Sequence, residues 1–289
     1  MNSSAALEII ISTLALGSLY CLMSMGLTLT FSTLQLFNFS HGALMMFAAY
    51  LGWLVANSLG VKLPIALLLA VVGSFMLSLL IEKTIIRGLM KKGLIEVIIG
   101  TLAIALLLEN IVLFSFGGRL KRLPVLIEGG VRIGGGFITY NNIAIAVISL
   151  LILLGMFFFL KHSKYGMAMR AVSQDKEASQ IVGIGIGKVN MFVFGLSGTL
   201  AGIAGVFLGT IYMMTPAMGT EALTKAFIIC VMGGLGNIRG TILASYVVAV
   251  VELTAAFVLG IYWAPLVLFA FMMIVMVARP SGLLARKER

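Results

Sequence analysis

Charged residues are scarce in this chain. They make up 10% of its 289 residues, whereas hydrophobic residues make up 61%, and the mean hydropathy is +1.15. Soluble domains carry roughly 25% charged residues, so this composition excludes a soluble globular protein. No polar stretch is long enough to bury a core of its own. The sequence therefore predicts an all-α, polytopic membrane protein in which residues 1–289 form a single membrane domain.

Reactive and metal-binding side chains are also scarce. The two cysteines, Cys21 and Cys230, lie in apolar segments far apart in the sequence, which predicts buried inert thiols and excludes a disulfide framework. The chain has no GxxxxGK[ST] phosphate loop. The glycines of GGLGNIRG (233–240) lack the spacing of a dinucleotide loop and predict a tight turn. We therefore expect no catalytic residue, no metal site and no cofactor.

Apolar runs recur along the whole chain. Because about twenty apolar residues cross a bilayer core, they predict about 8–10 transmembrane helices. The first run has neither the basic region nor the cleavage site of a secretory signal, so we expect it to be retained.

The seventh apolar run is either a half-helix that turns back or a span completed by irregular backbone. No internal repeat is evident. The candidate spans are 7–30, 43–59, 63–81, 94–116, 143–160, 189–213, 222–235, 241–259 and 262–278.

Basic residues give the chain a net charge of +10 and cluster in three polar segments. The clusters lie at 83–92, at 161–188 and in the C-terminal tail with Arg279, Arg286, Lys287 and Arg289. The positive-inside rule places all three in the cytoplasm. The same parity places the glycine-rich 117–140 segment and the N-terminus outside. This distribution indicates membrane topology and contact with lipid headgroups, and excludes a nucleic-acid partner.

The polar segment 161–188 separates two long apolar runs and is the feature most informative about function. Residues 173–182 predict a short amphipathic helix, with Ser173 as a candidate N-cap and Asp175 and Glu177 in its first turn. Gly183 is expected to end this helix. Ala178, Ile181 and Val182 share one side at helical spacing. A small, partly apolar helix favours a groove in a protein partner over a position flat on the headgroups.

Polar residues inside the apolar runs are candidates for a translocation path. Asn38, Ser40 and His41 precede a new apolar run, and Ser40 is a candidate N-cap for a helix beginning near Gly42. Such a helix start either faces a solute or is an interfacial cap with a solvated His41. For His41 we favour capping or packing over proton chemistry. The other candidates are Glu109, Asn110 and Glu252, which have no mid-span Lys or Arg in reach and either line a path or pack as protonated groups.

The sixth apolar run carries five glycines at spacings of three and four residues, which predicts one smooth helix face. Small residues permit close helix packing in lipid, and such a face also permits sliding. These glycines are Gly195, Gly198, Gly202, Gly205 and Gly209.

Several blocks together resemble the high-affinity branched-chain amino-acid permease family of ATP-driven importers, in particular its H-type subunit. These blocks include FNFSHGALMMFAAYLG, GTLAIALLLEN, YGMAMRAVSQDKEASQIVGI and AFIICVMGGLGNIRGT. Glu177, Ala178, Ser179 and Gly183 resemble the EAAxxxG coupling motif of importer permeases, although the later Leu-Pro of that motif is missing. Urea and short-chain amide permeases are close relatives of this family.

The resemblance implies a transporter of several parts in a bacterial cytoplasmic (inner) membrane. This subunit would pair with a homologous permease subunit. Two cytoplasmic ATPase subunits would bind the coupling segments of the two permease subunits. A periplasmic or lipid-anchored binding protein would deliver leucine, isoleucine or valine. A urea or short-amide permease is the first alternative function, and a secondary carrier or channel is the second.

Overall fold

The computed structural model describes residues 3–133, 136–280 and 282–284, which form helices and one short hairpin. Arg286, Lys287 and Arg289 of the predicted tail lie outside the described residues. The helices are α1 (Ser3–Leu34), α2 (Ser40–Trp53), α3 (Leu63–Ile81), α4 (Arg87–Leu89), α5 (Leu94–Phe116), α6 (Tyr140–His162), α7 (Lys164–Gln174), α8 (Lys176–Ile181), α9 (Ile186–Ile211), α10 (Met218–Gly233), α11 (Ile238–Leu259) and α12 (Ala264–Ala278).

Each predicted span coincides with a helix, but the helices differ in length. Within the described residues, six are long and apolar enough to cross a membrane: Ser12–Leu34, Leu63–Leu89, Leu94–Phe116, Tyr140–His162, Ile186–Ile211 and Ile238–Leu259. The helices α2, α10 and α12 are shorter. The helix α2 continues as a π-helical segment, Leu54–Ser58. The seventh predicted span is thus a short helix, and Gly234, at φ +91°, ends it in the predicted tight turn.

Two helices form the centre of the bundle. In α1 and α9, 83% and 72% of the most apolar stretch is buried, compared with 28% in the other four long spans. Those four keep one apolar face outward, as expected of helices at a lipid boundary.

The helices α1–α3 and α9–α11 make equivalent contacts with each other. Tyr20 of α1 reaches Glu252 of α11, and Thr28 reaches Thr241, so these helices are antiparallel. The helices α9 and α3 are antiparallel in the same way, since Ser78 donates to Phe194 O and Ser74 to Gly198 O. The first helix of each half therefore packs against the third helix of the other: α1 against α11, and α9 against α3.

The short helices α2 and α10 meet start to start inside the bundle. A Cβ at Gly42 would collide with the carbonyl oxygen of Gly219, and a Cβ at Gly219 with that of Gly42. Together with the exchanged contacts of α1 and α9, this is the geometry of an inverted-topology repeat. The sequence did not reveal this repeat.

The predicted external segment contains the hairpin. Strand β1 (Gly130–Ile133) pairs antiparallel with β2 (Gly136–Thr139), a small β element in the otherwise helical structure. Lys121 exchanges two backbone hydrogen bonds with Met214, and Leu123 N donates to Gly209 O. The segment is therefore fastened to the end of α9.

Candidate functional site

The polar segment 161–188 folds as two consecutive helices, α7 and α8, where the sequence predicted one. Ser173 lies inside α7 and its hydroxyl donates to Arg170 O, so the prediction that Ser173 caps the helix is wrong. Asp175 is the N-cap of α8 instead, because its Oδ1 accepts from Ala178 N at 2.9 Å. A carboxylate at this position also interacts favourably with the helix dipole.

Glycine ends α8 where the sequence predicts. Gly183 has a φ of +85°, which glycine adopts without strain. Its N–H donates to Gln180 O, and Ile184 N donates to Ser179 O. These bonds satisfy carbonyl groups that a helix end leaves unpaired. The helix is therefore fixed at both ends despite its length of six residues.

The outer face of α8 is exposed and ends in two apolar side chains. Ile181 is 86% exposed and Val182 75% exposed, and Glu177 and Ala178 are exposed on the preceding turn. Ser179 is buried and donates to Asp175 O. A large aliphatic side chain this exposed outside the membrane gains free energy if a partner buries it.

The helix α7 fastens α8 to the bundle. Met169 and Val172 are buried against it, and the Arg170 guanidinium donates to the carbonyl oxygens of Leu160 and Lys161 at the end of α6. Because α8 packs on α7 and α9, a push on α8 reaches both α6 and α9. The segment is thus mechanically connected to the membrane helices.

The predicted polar start of α2 is buried in the bundle. Asn38, Ser40 and His41 are each 0% exposed. Asn38 Oδ1 accepts from both Ser40 N and Ser40 Oγ, while Ser40 itself makes no cap, so the prediction of a Ser40 cap is wrong. His41 is not solvated: its Nε2 donates to Met23 O at 2.9 Å, and its Nδ1 accepts from Ser197 Oγ at 3.1 Å.

Glu252 has a cationic partner, contrary to the sequence prediction. Lys225 of α10 lies 2.6 Å from Glu252 Oε1, and Tyr20 OH donates to Glu252 Oε2 at 2.7 Å. Lys225 lies near the start of the predicted span 222–235 and is therefore not a mid-span cation in the sequence, but the fold brings it to Glu252. This polar cluster joins α1, α10 and α11, and it satisfies the buried charges.

Glu109 faces a cavity of about 550 Å³, a size typical of small-molecule sites. The cavity is bounded by α5, by the start of α2, by the first half of α10 and by Phe269 of α12. Its walls are largely apolar. The ion pairs of the described residues are Arg87 with Glu82 and Lys225 with Glu252, so Glu109 has no cationic partner there. Asn110 lies beside it, exposed, and donates to Leu106 O.

The structure brings together only some of the predicted path residues. Glu109 lines the cavity, as does Phe39, which lies between Asn38 and Ser40. Glu252 belongs to the separate cluster with Lys225, and Asn110 is not among the lining residues. The residues that the sequence missed are the apolar cavity walls, which carry no signal distinguishing them from ordinary membrane-spanning positions.

The five glycines of α9 lie against α3, α2 and the external segment. Gly195, Gly198 and Gly202 contact α3, and Gly205 lies against the backbone of Met45 in α2. Gly209 is close to Leu123 and Met214. Since hydrogen bonds from Ser74 and Ser78 to the α9 backbone fix the register, this face holds α3 and α9 together and opposes sliding.

An inverted helical repeat with a cavity where its halves meet, and a capped helix outside the membrane, define a permease domain of a membrane transporter. The particular family follows from comparison with known proteins. The chain belongs to the family described as branched-chain amino acid transport system, permease component, whose model matches residues 9–277.

Known relatives cover almost the whole chain. The chain is 29% identical to the high-affinity branched-chain amino acid transport system permease protein BraD of Pseudomonas aeruginosa, over 98% of this chain and 96% of that protein. It is 28% identical to LivH of Escherichia coli K12, over 94% and 93%. It is also 28% identical to the probable LivH of Methanocaldococcus jannaschii, over 82% and 76%. No solved structure matches significantly.

Proposed function

We propose that this chain is the permease subunit of an ATP-driven importer of branched-chain amino acids in a bacterial cytoplasmic membrane. The observation that carries the proposal is α8, a helix capped at both ends that leaves the apolar side chains of Ile181 and Val182 exposed. The names of the relatives support the same substrate class. The largely apolar walls of the cavity suit the aliphatic side chain of such a solute, which urea and short amides lack.

The partners follow from this role. A homologous permease subunit would complete the translocation path, and two ATPase subunits would bind the α8 helices from the cytoplasm. A periplasmic or lipid-anchored binding protein would deliver the solute to the external segment. Lipid would cover the remaining apolar faces.

In this mechanism the ATPases push on α8 when they close around ATP. Asp175 and Gly183 keep α8 rigid, and α7 transmits the displacement to the end of α6 through Arg170. The helix α9 moves with α8, and α3 moves with α9 because Ser74 and Ser78 hold the two in register. Access to the cavity would then alternate between the two sides of the membrane.

The test is uptake of labelled leucine, isoleucine and valine by proteoliposomes that contain this chain, its ATPases, its partner permease and its binding protein. We expect uptake that requires ATP and every component. Ile181→Asp should reduce both uptake and ATPase stimulation by the binding protein by about tenfold, since it places a charge in an apolar contact. Gln180→Asp adds the same charge to an adjacent exposed position and should have a much smaller effect.

Uptake by this chain alone under an ion gradient would instead identify a secondary carrier or channel. Uptake of urea or acetamide in preference to leucine would identify the amide permease.

A further inference from the structure

We propose that the Glu109 cavity is the intramembrane solute site, and that the Glu109 carboxylate binds the ammonium group of an aliphatic amino acid there. This inference rests on the proposed function and goes beyond it by assigning a site and a recognition chemistry.

The first step is the position of the cavity. It lies where α2 and α10, the short helices of the inverted repeat, meet start to start, and residues at both starts line it. In transporters built from inverted repeats, substrate sites form at the interface of the repeats, near the membrane midplane. Glu109 is on the third wall, α5, within the span Leu94–Phe116.

The second step is the chemistry of the walls. An ionisable side chain in a membrane span is costly unless it faces water, a partner or a ligand. The described residues offer Glu109 no cation, while Glu252 has both Lys225 and Tyr20. A cation from outside the chain therefore fits at Glu109, and apolar walls around it fit an aliphatic side chain. An amino acid with a branched aliphatic side chain supplies both groups.

The third step excludes the other candidates. Asn38, Ser40 and His41 are fully buried and are not among the cavity-lining residues, so none of them has an open face for a solute. Glu252 already has a cationic partner, Lys225, within the bundle. Among the predicted path residues, Glu109 is thus the carboxylate that lines the cavity.

The first experiment compares the wild-type complex with Glu109→Gln in proteoliposomes, measuring leucine imported and ATP hydrolysed. We expect at least about a tenfold fall in leucine imported per ATP, because a charge-assisted hydrogen bond is lost. ATPase stimulation should persist, since α8 is unchanged. Leu107→Gln, two residues away on α5 and outside the cavity lining, should import normally.

A second experiment does not depend on Glu109. The native thiols of Cys21 and Cys230 are 0% exposed, so an introduced thiol can be followed alone. Leu106 and Leu107 are 61% and 58% exposed, but only Leu106 lines the cavity. A water-soluble methanethiosulfonate should modify Leu106→Cys during turnover and leucine should slow that reaction, whereas Leu107→Cys should react slowly with or without leucine.

The two proposals fail in different ways. A wild-type complex that imports no amino acid contradicts the proposed function. Normal import per ATP by Glu109→Gln, or leucine that leaves Leu106→Cys labelling unchanged, overturns the solute site alone. The first of those results would show that the Glu109 carboxylate does not bind the solute.

Discussion

Gly183 is the residue on which the shape of the coupling segment most depends. Its φ of +85° lies in the left-handed region, yet a Cβ there would meet nothing within 4 Å. Gly183→Ala should therefore cost about 1–2 kcal/mol of backbone strain without any steric clash. We expect frayed α8 ends and loss of at least half of the solute-stimulated ATPase activity, with normal membrane insertion.

Two comparisons separate strain from other effects of this substitution. Gly187→Ala is the matched control, because Gly187 also has open space around it but a helical backbone. Gly183→Asn should retain more activity than Gly183→Ala, since Asn tolerates positive φ better. Equal ATPase stimulation in Gly183→Ala and Gly187→Ala would show that the end of α8 does not control coupling.

Local rules explain which residues of this segment were predictable. Glycine at a helix end is a strong signal, so the position of Gly183 followed from the sequence. Ser173 and Asp175 are both good N-caps, and the choice between them depends on where α7 ends. In the structure Asp175 is the N-cap, because residues 164–174 already form α7, which the buried side chains of Met169 and Val172 anchor.

At the scale of the elements, the packing of α9 depends on glycines that have no room for a side chain. A Cβ at Gly205 would collide with the Met45 backbone of α2, which cannot rotate away. We expect Gly205→Ala to destabilise the subunit by about 1–3 kcal/mol. Thermal unfolding of the purified subunit in detergent measures this as a lower transition temperature.

Gly155 provides the control for this measurement. It lies in the middle of α6, exposed, with nothing within 4 Å of a Cβ. Gly155→Ala should leave the transition temperature unchanged or raise it slightly, since alanine favours helix by up to about 1 kcal/mol. A Gly205→Ala subunit as stable as Gly155→Ala would contradict the close approach of α2 and α9.

Hydropathy predicted the helices and some, but not all, of their limits. The limits of α5 coincide with the predicted span 94–116, because Gly93 and Gly117 bound a predominantly apolar run. The sequence left open whether Asn38, Ser40 and His41 face a solute or the membrane surface. In the structure all three are buried, and His41 is held by Met23 and Ser197. Those contacts come from distant parts of the chain and leave no local pattern.

At the scale of the whole molecule, the inverted repeat was invisible in the sequence. Membrane helices are apolar all round, so many different sequences fulfil the same packing role. The two halves use different residues for equivalent contacts: Ser74 and Ser78 join α3 to α9, while Thr241 and Glu252 join α11 to α1. The solute cavity depends on this arrangement and was equally unpredictable, although its carboxylate Glu109 was visible as an intramembrane charge.

The orientation of the molecule in the membrane is the premise that the coupling mechanism requires. The basic clusters predict that the α7–α8 segment lies in the cytoplasm and the β1–β2 hairpin outside. An impermeant maleimide should therefore label Ile181→Cys in inside-out vesicles and not in intact cells stripped of their outer membrane. Phe137→Cys, on the exposed hairpin, should show the opposite pattern. Buried Cys21 and Cys230 should stay silent in both. Labelling of Ile181→Cys from outside would place α8 beyond the reach of any cytoplasmic ATPase, and it would contradict the coupling mechanism.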